Sequence, residues 1–352
     1  MRTGADLIFC SNREDYMQTA ARYGILPGAQ LPTKIAFSIV FADQDWKKPN
    51  REAYMRELAH HRPRLATVLD LEREDQFDEV MSWADEASRY VSEAVIIIPK
   101  VSGVIARLPA RINGKSVRLG YSVPTRYGGT TLLTAEFGRW PVHLLGGSLK
   151  KQHELAHYLN VASADTNYTQ KLANEFASYC TCFGNVEFRD DSLPPRARAT
   201  TAFEMSCMNA SAHRAGAYAQ FRFASLDDLP FILKIAAACR HELGFVMPAS
   251  LRESVGRRNL VVAAGRGGDV LGFANYRARR DGVQKIYQLA VDKRSRGQKL
   301  GAGLLACVPR PVELKCTTDN PANLFYAACG GRTVAFERGK KRPLNVWRFD
   351  NF

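Results

Sequence analysis

A chain of 352 residues is long for a single core, and the expectation is two domains of roughly 100–200 residues each. Its 46% apolar and 24% charged residues are those of a folded protein, with no run near the ~20 apolar residues of a membrane span and no secretion signal at the start. The net charge of +14 sits almost wholly at one end: residues 221–352 hold 23 Lys/Arg against 11 Asp/Glu, a balance that a polyanion or a phosphorylated cofactor would complement.

Through the first 200 residues, short apolar runs alternate with amphipathic segments. Strands are predicted at 7–10, 34–41, 65–70, 94–99, 117–123, 142–146 and 160–164, with 185–188 as a candidate eighth. Between them, stretches such as REAYMRELAHH and FDEVMSWADEASRYV carry apolar residues at helical spacing. Alternation of this kind argues for parallel strands joined by crossover helices. Seven or eight units by residue 195 fit a (β/α)8-type barrel, an α/β fold, with an open sheet as the alternative.

Several runs end on a polar residue or glycine: Asp43, Asp70, Lys100, Gly146-Gly147 and Asp165. In a barrel the C-terminal strand ends face the active site. One such aspartate is ordinarily a helix cap or a turn residue, but three after separate runs are candidate functional groups. Residues 196–220, rich in Arg, Ala and Ser with little periodicity, read as a connector.

From 221 onward the pattern changes. FRFASLDDLPFIL reads as a strand, a turn and a helix, and residues 260–264 and 270–278 as a hairpin around GRGGD. A strand at 285–291 leads into DKRSRGQKLGAGLLACV, where a glycine-containing turn opens a helix whose first N–H groups are free to hold a phosphate. Arg294, Arg296 and Lys299 add charge there. VELKC, a loop and helix over TTDNPANLFYAACGG, and a last strand VWRF complete an α+β domain.

This succession resembles the GNAT acyltransferase superfamily across 221–352. The family's pyrophosphate loop, R-x-x-G-x-G/A, is similar to Arg296-Gly-Gln-Lys-Leu-Gly301, with Lys299 standing at the central glycine. The resemblance implies acetyl-CoA or a related acyl-CoA held by Arg294, Arg296, Gly297, Lys299, Leu300, Gly301 and Asn320. The late family signature is echoed by Asn320, Asn323, Tyr326, Gly330 and Gly331. It implies Tyr326 as the acid that protonates the departing thiolate, which a phenol of ordinary pKa near 10 can do. By that resemblance Tyr326 is the residue singled out, with a buried core tyrosine as the alternative.

The N-terminal domain resembles tRNA-guanine and DNA 7-deazaguanine transglycosylases. The likeness rests on Val142-His-Leu-Leu-Gly-Gly-Ser148, Asn160-Val-Ala-Ser-Ala-Asp165 and Leu65-Ala-Thr-Val-Leu-Asp70. It implies Asp165 as the nucleophile on the anomeric carbon, Asp70 as the carboxylate that reads the purine edge, and Asp43 as general acid/base, with Asp45 as its rival. Gly128 and Gly129, after Tyr127, and Gly146 and Gly147 would lie against the base. Bacterial tRNA enzymes of the family carry structural zinc. Here only Cys180, Cys182, Cys207 and His213 offer ligands, at irregular spacing, with buried thiols of a reducing, cytoplasmic protein as the alternative.

Together these features point to a base-modifying transferase that exchanges guanine for a 7-deazaguanine, with DNA favoured over RNA, while the fused domain acts on the inserted base or its precursor. Two rivals stand beside it. One is an N-acetyltransferase of a protein or small amine whose N-terminal domain selects the substrate. The other is a non-enzymatic nucleic-acid-binding protein.

Overall fold

The computed structural model describes residues 5–125, 128–339 and 342–350. The chain divides into two compact units, the first built mainly from residues 25–179 and the second mainly from residue 204 onward. The α/β class and the barrel-plus-sheet order expected from the sequence are what the chain adopts. Among the described residues, no helix is long and apolar enough to cross a membrane.

The first unit holds β1 (Asp6–Cys10), β2 (Leu26–Leu31), β3 (Phe41–Gln44), β4 (Leu65–Leu71), β5 (Ala94–Pro99), β6 (Arg111–Ile112), β7 (Lys115–Ser122), β8 (Val142–Leu145) and β9 (Val161–Thr166). Eight of these are parallel, and the order β1-β2-β3-β4-β5-β7-β8-β9 closes back on β1. The short β6 pairs antiparallel on β7. Because side chains alternate along a strand, each strand gives one set to the helices and one to the lumen. The outward set, with Ala29, Val68, Val95, Leu119 and Leu144, joins the crossover helices in the main core.

The lumen is divided. One side is apolar, with Ile8, Phe41, Leu65, Ala94, Ile96 and Ile98. The other is polar, with Arg118, His143, Ser163 and Asp165 all buried. It is also tightly filled: a Cβ on Gly28 would lie 2.7 Å from Ile8, and one on Gly120 would lie 2.5 Å from Ile98.

Two expectations shift. The run 34–41 is not a strand: Ile35, Phe37 and Ile39 pack onto the core as loop, and the strand that follows is Phe41–Gln44. The candidate at 185–188 lies outside the barrel, as β11 (Gly184–Glu187) in a hairpin with β10 (Ser178–Thr181).

The stretch expected as a connector is mostly a twenty-residue helix, Pro195–Arg214. Ala202, Phe203, Met205, Cys207, Met208 and Ala212 are buried along it, together with Ser206, Asn209 and Ser211. From Thr201 to His213 nearly every position is buried, and a helix buried on every side shows no amphipathic period, which hid it in the sequence. Asn209 is satisfied like a strand residue, accepting from the Phe221 N–H (2.9 Å) and donating to the Phe221 carbonyl (2.6 Å).

The second unit's sheet comprises β12 (Gln220–Phe223), β13 (Leu260–Ala264), β14 (Val270–Ala278), β15 (Gln284–Val291), β16 (Val312–Thr317), β17 (Arg332–Arg338) and β18 (Pro343–Phe349). Its order is β12-β13-β14-β15-β16-β18-β17, all antiparallel except β15–β16. That parallel pair is in register over Gln284–Ile286 and Val312–Leu314.

Candidate active site

The parallel barrel puts all its strand C-termini at one end. A cavity of about 940 Å³ opens there, lined among others by Asp43, Asp70 and Asp165. Convergence of these three carboxylates is the central structural finding.

Asp165 closes β9 and faces the lumen opposite Ile8 and Leu145. Its Oδ1 lies 3.2 Å from His143 Nε2 and accepts from the Gly146 N–H at 3.3 Å. The Cys10 thiol also donates to it, and burial first, then the charges of Asp165 and Asp43, push that thiol well up. Gly146 and Gly147 stand at φ +69° and +84°, and a Cβ on Gly147 would meet Val123 at 2.8 Å. Only glycine lets the backbone turn this tightly beside the carboxylate. Gln152 pins the turn, its amide donating to the carbonyls of Gly146 (2.8 Å) and Asp165 (2.9 Å).

Asp43 projects from β3 into the same cavity and accepts from the Thr67 hydroxyl at 3.0 Å. Burial, and then the negative charge of Asp165, push its pKa up to about 8, against the opposing hydrogen bond from Thr67. Asp43 is therefore protonated at neutral pH.

Asp70 reaches the cavity because β4 slips register between Thr67 and Asp70. An extra residue of this kind re-aims the next side chain, and here it turns Asp70 inward. Its Oδ2 is held by Lys100 Nζ at 2.5 Å, and Lys100 also reaches Glu72 at 3.2 Å. Burial raises the Asp70 pKa, and Lys100 opposes that rise.

Gly128, Gly129, Gly146 and Gly147 also line the cavity, whereas Tyr127 lies outside the described residues. Asp45 does not line it. Its carboxylate caps a turn by accepting from the Lys47 N–H (3.1 Å), which removes it as Asp43's rival.

Sequence reasoning passed over His143, Ser163, Arg118 and Thr67. The available signal was polar residues at alternating, lumen-facing positions of otherwise apolar strands.

In the second unit the two arginines expected to hold the cofactor are each paired with a carboxylate. Arg294 pairs with Asp292 (3.2 Å), and Arg296 pairs with Glu242 (2.7 Å). Lys299 takes a left-handed conformation at φ +56° immediately before the helix Leu300–Ala306, and Gly297 stands at +86°. Gly301 packs under Phe325. Asn320 caps the helix Ala322–Ala328 by accepting from the Ala322 N–H (2.9 Å).

Tyr326 is a core residue. It is 9% exposed among Phe325, Trp347 and Phe349, and burial raises its hydroxyl pKa well above the ordinary value. The aromatic ring against Gly301, in the expected cofactor loop, is that of Phe325.

The zinc candidates do not assemble. Cys182 Sγ donates to the Ala219 carbonyl (3.5 Å), which lies 3.3 Å from His213 Nε2, and Cys180 Sγ lies 3.7 Å from Asn185. Burial pushes Cys182 up to about 12 and Cys207 well up, which disfavours the thiolates that zinc needs. Among the described residues, no group of three or more His, Cys, Asp or Glu could hold a metal ion.

Residues 20–211 match a protein family described as a family of unknown function, DUF6610. The chain belongs to that family. The DUF6610 match takes in the strand ends that carry Asp43, Asp70 and Asp165. No curated protein matches the chain.

Similar solved structures include Ard1 from Thermoplasma volcanium, 21% identical, covering 37% of this chain and 95% of that one at a TM-score of 0.33. The ribosomal-protein-S18-alanine N-acetyltransferase from Escherichia coli is 17% identical, with 37% and 92% covered and a TM-score of 0.33. A GNAT superfamily phosphinothricin acetyltransferase from Sinorhizobium meliloti, in complex with AcCoA, is 20% identical, with 37% and 87% covered and a TM-score of 0.31.

Proposed function

We propose that the barrel is a transglycosylase that exchanges guanine for a 7-deazaguanine base in a nucleic acid, with DNA favoured over RNA. The observation that carries this reading is one cavity at the barrel mouth on which Asp43, Asp70 and Asp165 converge, with Asp43 held protonated at neutral pH.

Asp165 attacks the anomeric carbon of a nucleotide that has left its stack, forming a glycosyl ester as the carbon–nitrogen bond to guanine breaks. The departing base takes the proton of Asp43. Asp43, now a carboxylate, removes the ring proton of the incoming 7-deazaguanine. That nitrogen attacks the same carbon, the ester breaks, and both carboxyls return to their starting states. The Asp70 oxygen not bound to Lys100 is available to accept from the purine's N–H donors.

The second unit is proposed to bind acetyl-CoA or a related acyl-CoA at 294–301 and to acylate the inserted base or its precursor. An amine on the 7-substituent would be the acceptor.

Mass spectrometry of nucleosides from cells with and without the gene tests the proposal. It expects a modified deoxyguanosine-type nucleoside only where the gene is present, and identical nucleoside pools would contradict it.

A further inference from the structure

We propose that His143 is a positioning residue for Asp165, held in one tautomer by the carboxylate and oriented by Ser163 and Arg118, so that Asp165 presents a fixed oxygen to the cavity. Its catalytic consequence rests on the nucleophile role proposed for Asp165, but its geometry does not.

The residues form a line through the polar side of the lumen, buried from Arg118 to Asp165. Glu93 binds both Arg64 (2.6 Å) and Arg118, and Arg118 Nη1 donates to Ser163 Oγ at 2.9 Å. Ser163 Oγ lies 2.8 Å from His143 Nδ1, and His143 Nε2 lies 3.2 Å from Asp165 Oδ1. The imidazole is fully buried and stacks on Phe41 at 4.7 Å, so its plane is fixed from one face as well as from both nitrogens.

Donor chemistry gives the line one direction. A carboxylate only accepts, so His143 Nε2 must carry a proton for Asp165; a guanidinium only donates, so Ser163 accepts from Arg118 and keeps its own hydroxyl proton to give to Nδ1 of the neutral ring. The ring proton then sits on Nε2 and is donated to Asp165. The opposite tautomer would set a bare Nε2 lone pair against a carboxylate oxygen, two acceptors with no proton between them.

Ser163, His143 and Asp165 thus repeat the members of a hydrolase triad with their roles turned round. Ser163 has no exposure and is tied to Arg118, so it cannot attack a substrate. Asp165 is the end that reaches the cavity. Interior layers of such barrels are usually branched apolar residues, and a buried guanidinium, imidazole and hydroxyl in their place are costly unless fully paired. Orientation of the one carboxylate that meets substrate is what this arrangement supplies.

Nitrogen-15 NMR of the full-length protein, wild type and Ser163→Ala, tests the relay without substrate. The expected result is a proton on Nε2 and a bare, hydrogen-bonded Nδ1 in the wild type, and in S163A the same tautomer with the Nδ1 resonance shifted by loss of the serine's proton. A proton on Nδ1, or on both nitrogens, in the wild type overturns it.

Base-exchange kinetics then test its consequence. His143→Phe keeps the stacking ring and should lower kcat about 10²-fold with KM little changed. His143→Gln, whose amide nitrogen reaches the Nε2 position, should recover at least tenfold of that loss. A folded H143F with wild-type kcat, or an H143Q no better than H143F, would overturn the positioning role. If no polymer supports exchange, the reading of the barrel's reaction fails, while the tautomer still decides the relay.

Discussion

The barrel and the second unit treat charged side chains in opposite ways. At the barrel mouth, Asp43 is kept buried and protonated beside a second carboxyl, with no cation paired to it among the described residues, a state that lowers stability. In the second unit, the arginines expected to hold a cofactor are satisfied by Asp292 and Glu242, and Tyr326 is packed away. A group held in an unfavourable state marks where chemistry is paid for, whereas a neutralised one must first be released before it can bind anything.

The sharpest way to break this contrast is Asp165→Asn. Exchange should fall by at least ~10⁴-fold with the fold intact, because the nucleophile is lost while the hydrogen bonds from Gly146 and His143 keep an oxygen to meet. Residual exchange within tenfold of wild type would place the chemistry elsewhere.

Asp43→Asn should slow exchange ~10²–10⁴-fold, as removal of a general acid does. In the wild type, kcat/KM should fall as pH rises through about 8, where Asp43 loses its proton.

The same substitution makes a stability prediction of known sign. Between the ordinary carboxyl pKa of 3.8 and about 8, Asp43 is protonated when folded and ionised when unfolded, so wild-type stability falls as pH rises across that window. D43N should therefore be more stable than wild type at pH 8, by on the order of 5 kcal/mol, with the difference gone below pH 4. Urea melts at the two pH values read this directly, and equal stability at pH 8 would show that Asp43 is not held protonated.

In the second unit, Glu242→Gln should tighten acetyl-CoA binding by roughly 5–10-fold by releasing Arg296, and Arg296→Glu should abolish it. Calorimetry that finds no binding in either the wild type or E242Q would remove the cofactor from the account. Tyr326→Phe should change acyl transfer less than about twofold, since a core phenol is not the acid. A large loss in kcat would restore the role expected from the sequence.

Much of the barrel was legible because its topology leaves little freedom. Once strands are parallel and closed, their C-terminal residues must share one mouth, so Asp43, Asp70 and Asp165 could be grouped from their positions alone. What could not be read depends on contacts distant in sequence. β2 carries Pro27 and Gly28 and reads as a turn, yet Gly28 is required where Ile8 and Phe41 leave no room for a Cβ. The register slip that turns Asp70 inward has no sequence mark. Glu242, which holds Arg296, lies 54 residues away, and the alternation of Arg118, His143 and Ser163 becomes a line only when three strands meet.

The most direct test of the central claim incubates guanine-labelled DNA and tRNA with the full-length protein and a 7-deazaguanine base. The account predicts label release from the wild type, greater from DNA than from tRNA, lost in D165N and declining as pH passes about 8. No release from either polymer at any pH, by protein whose two units are both folded, would contradict it.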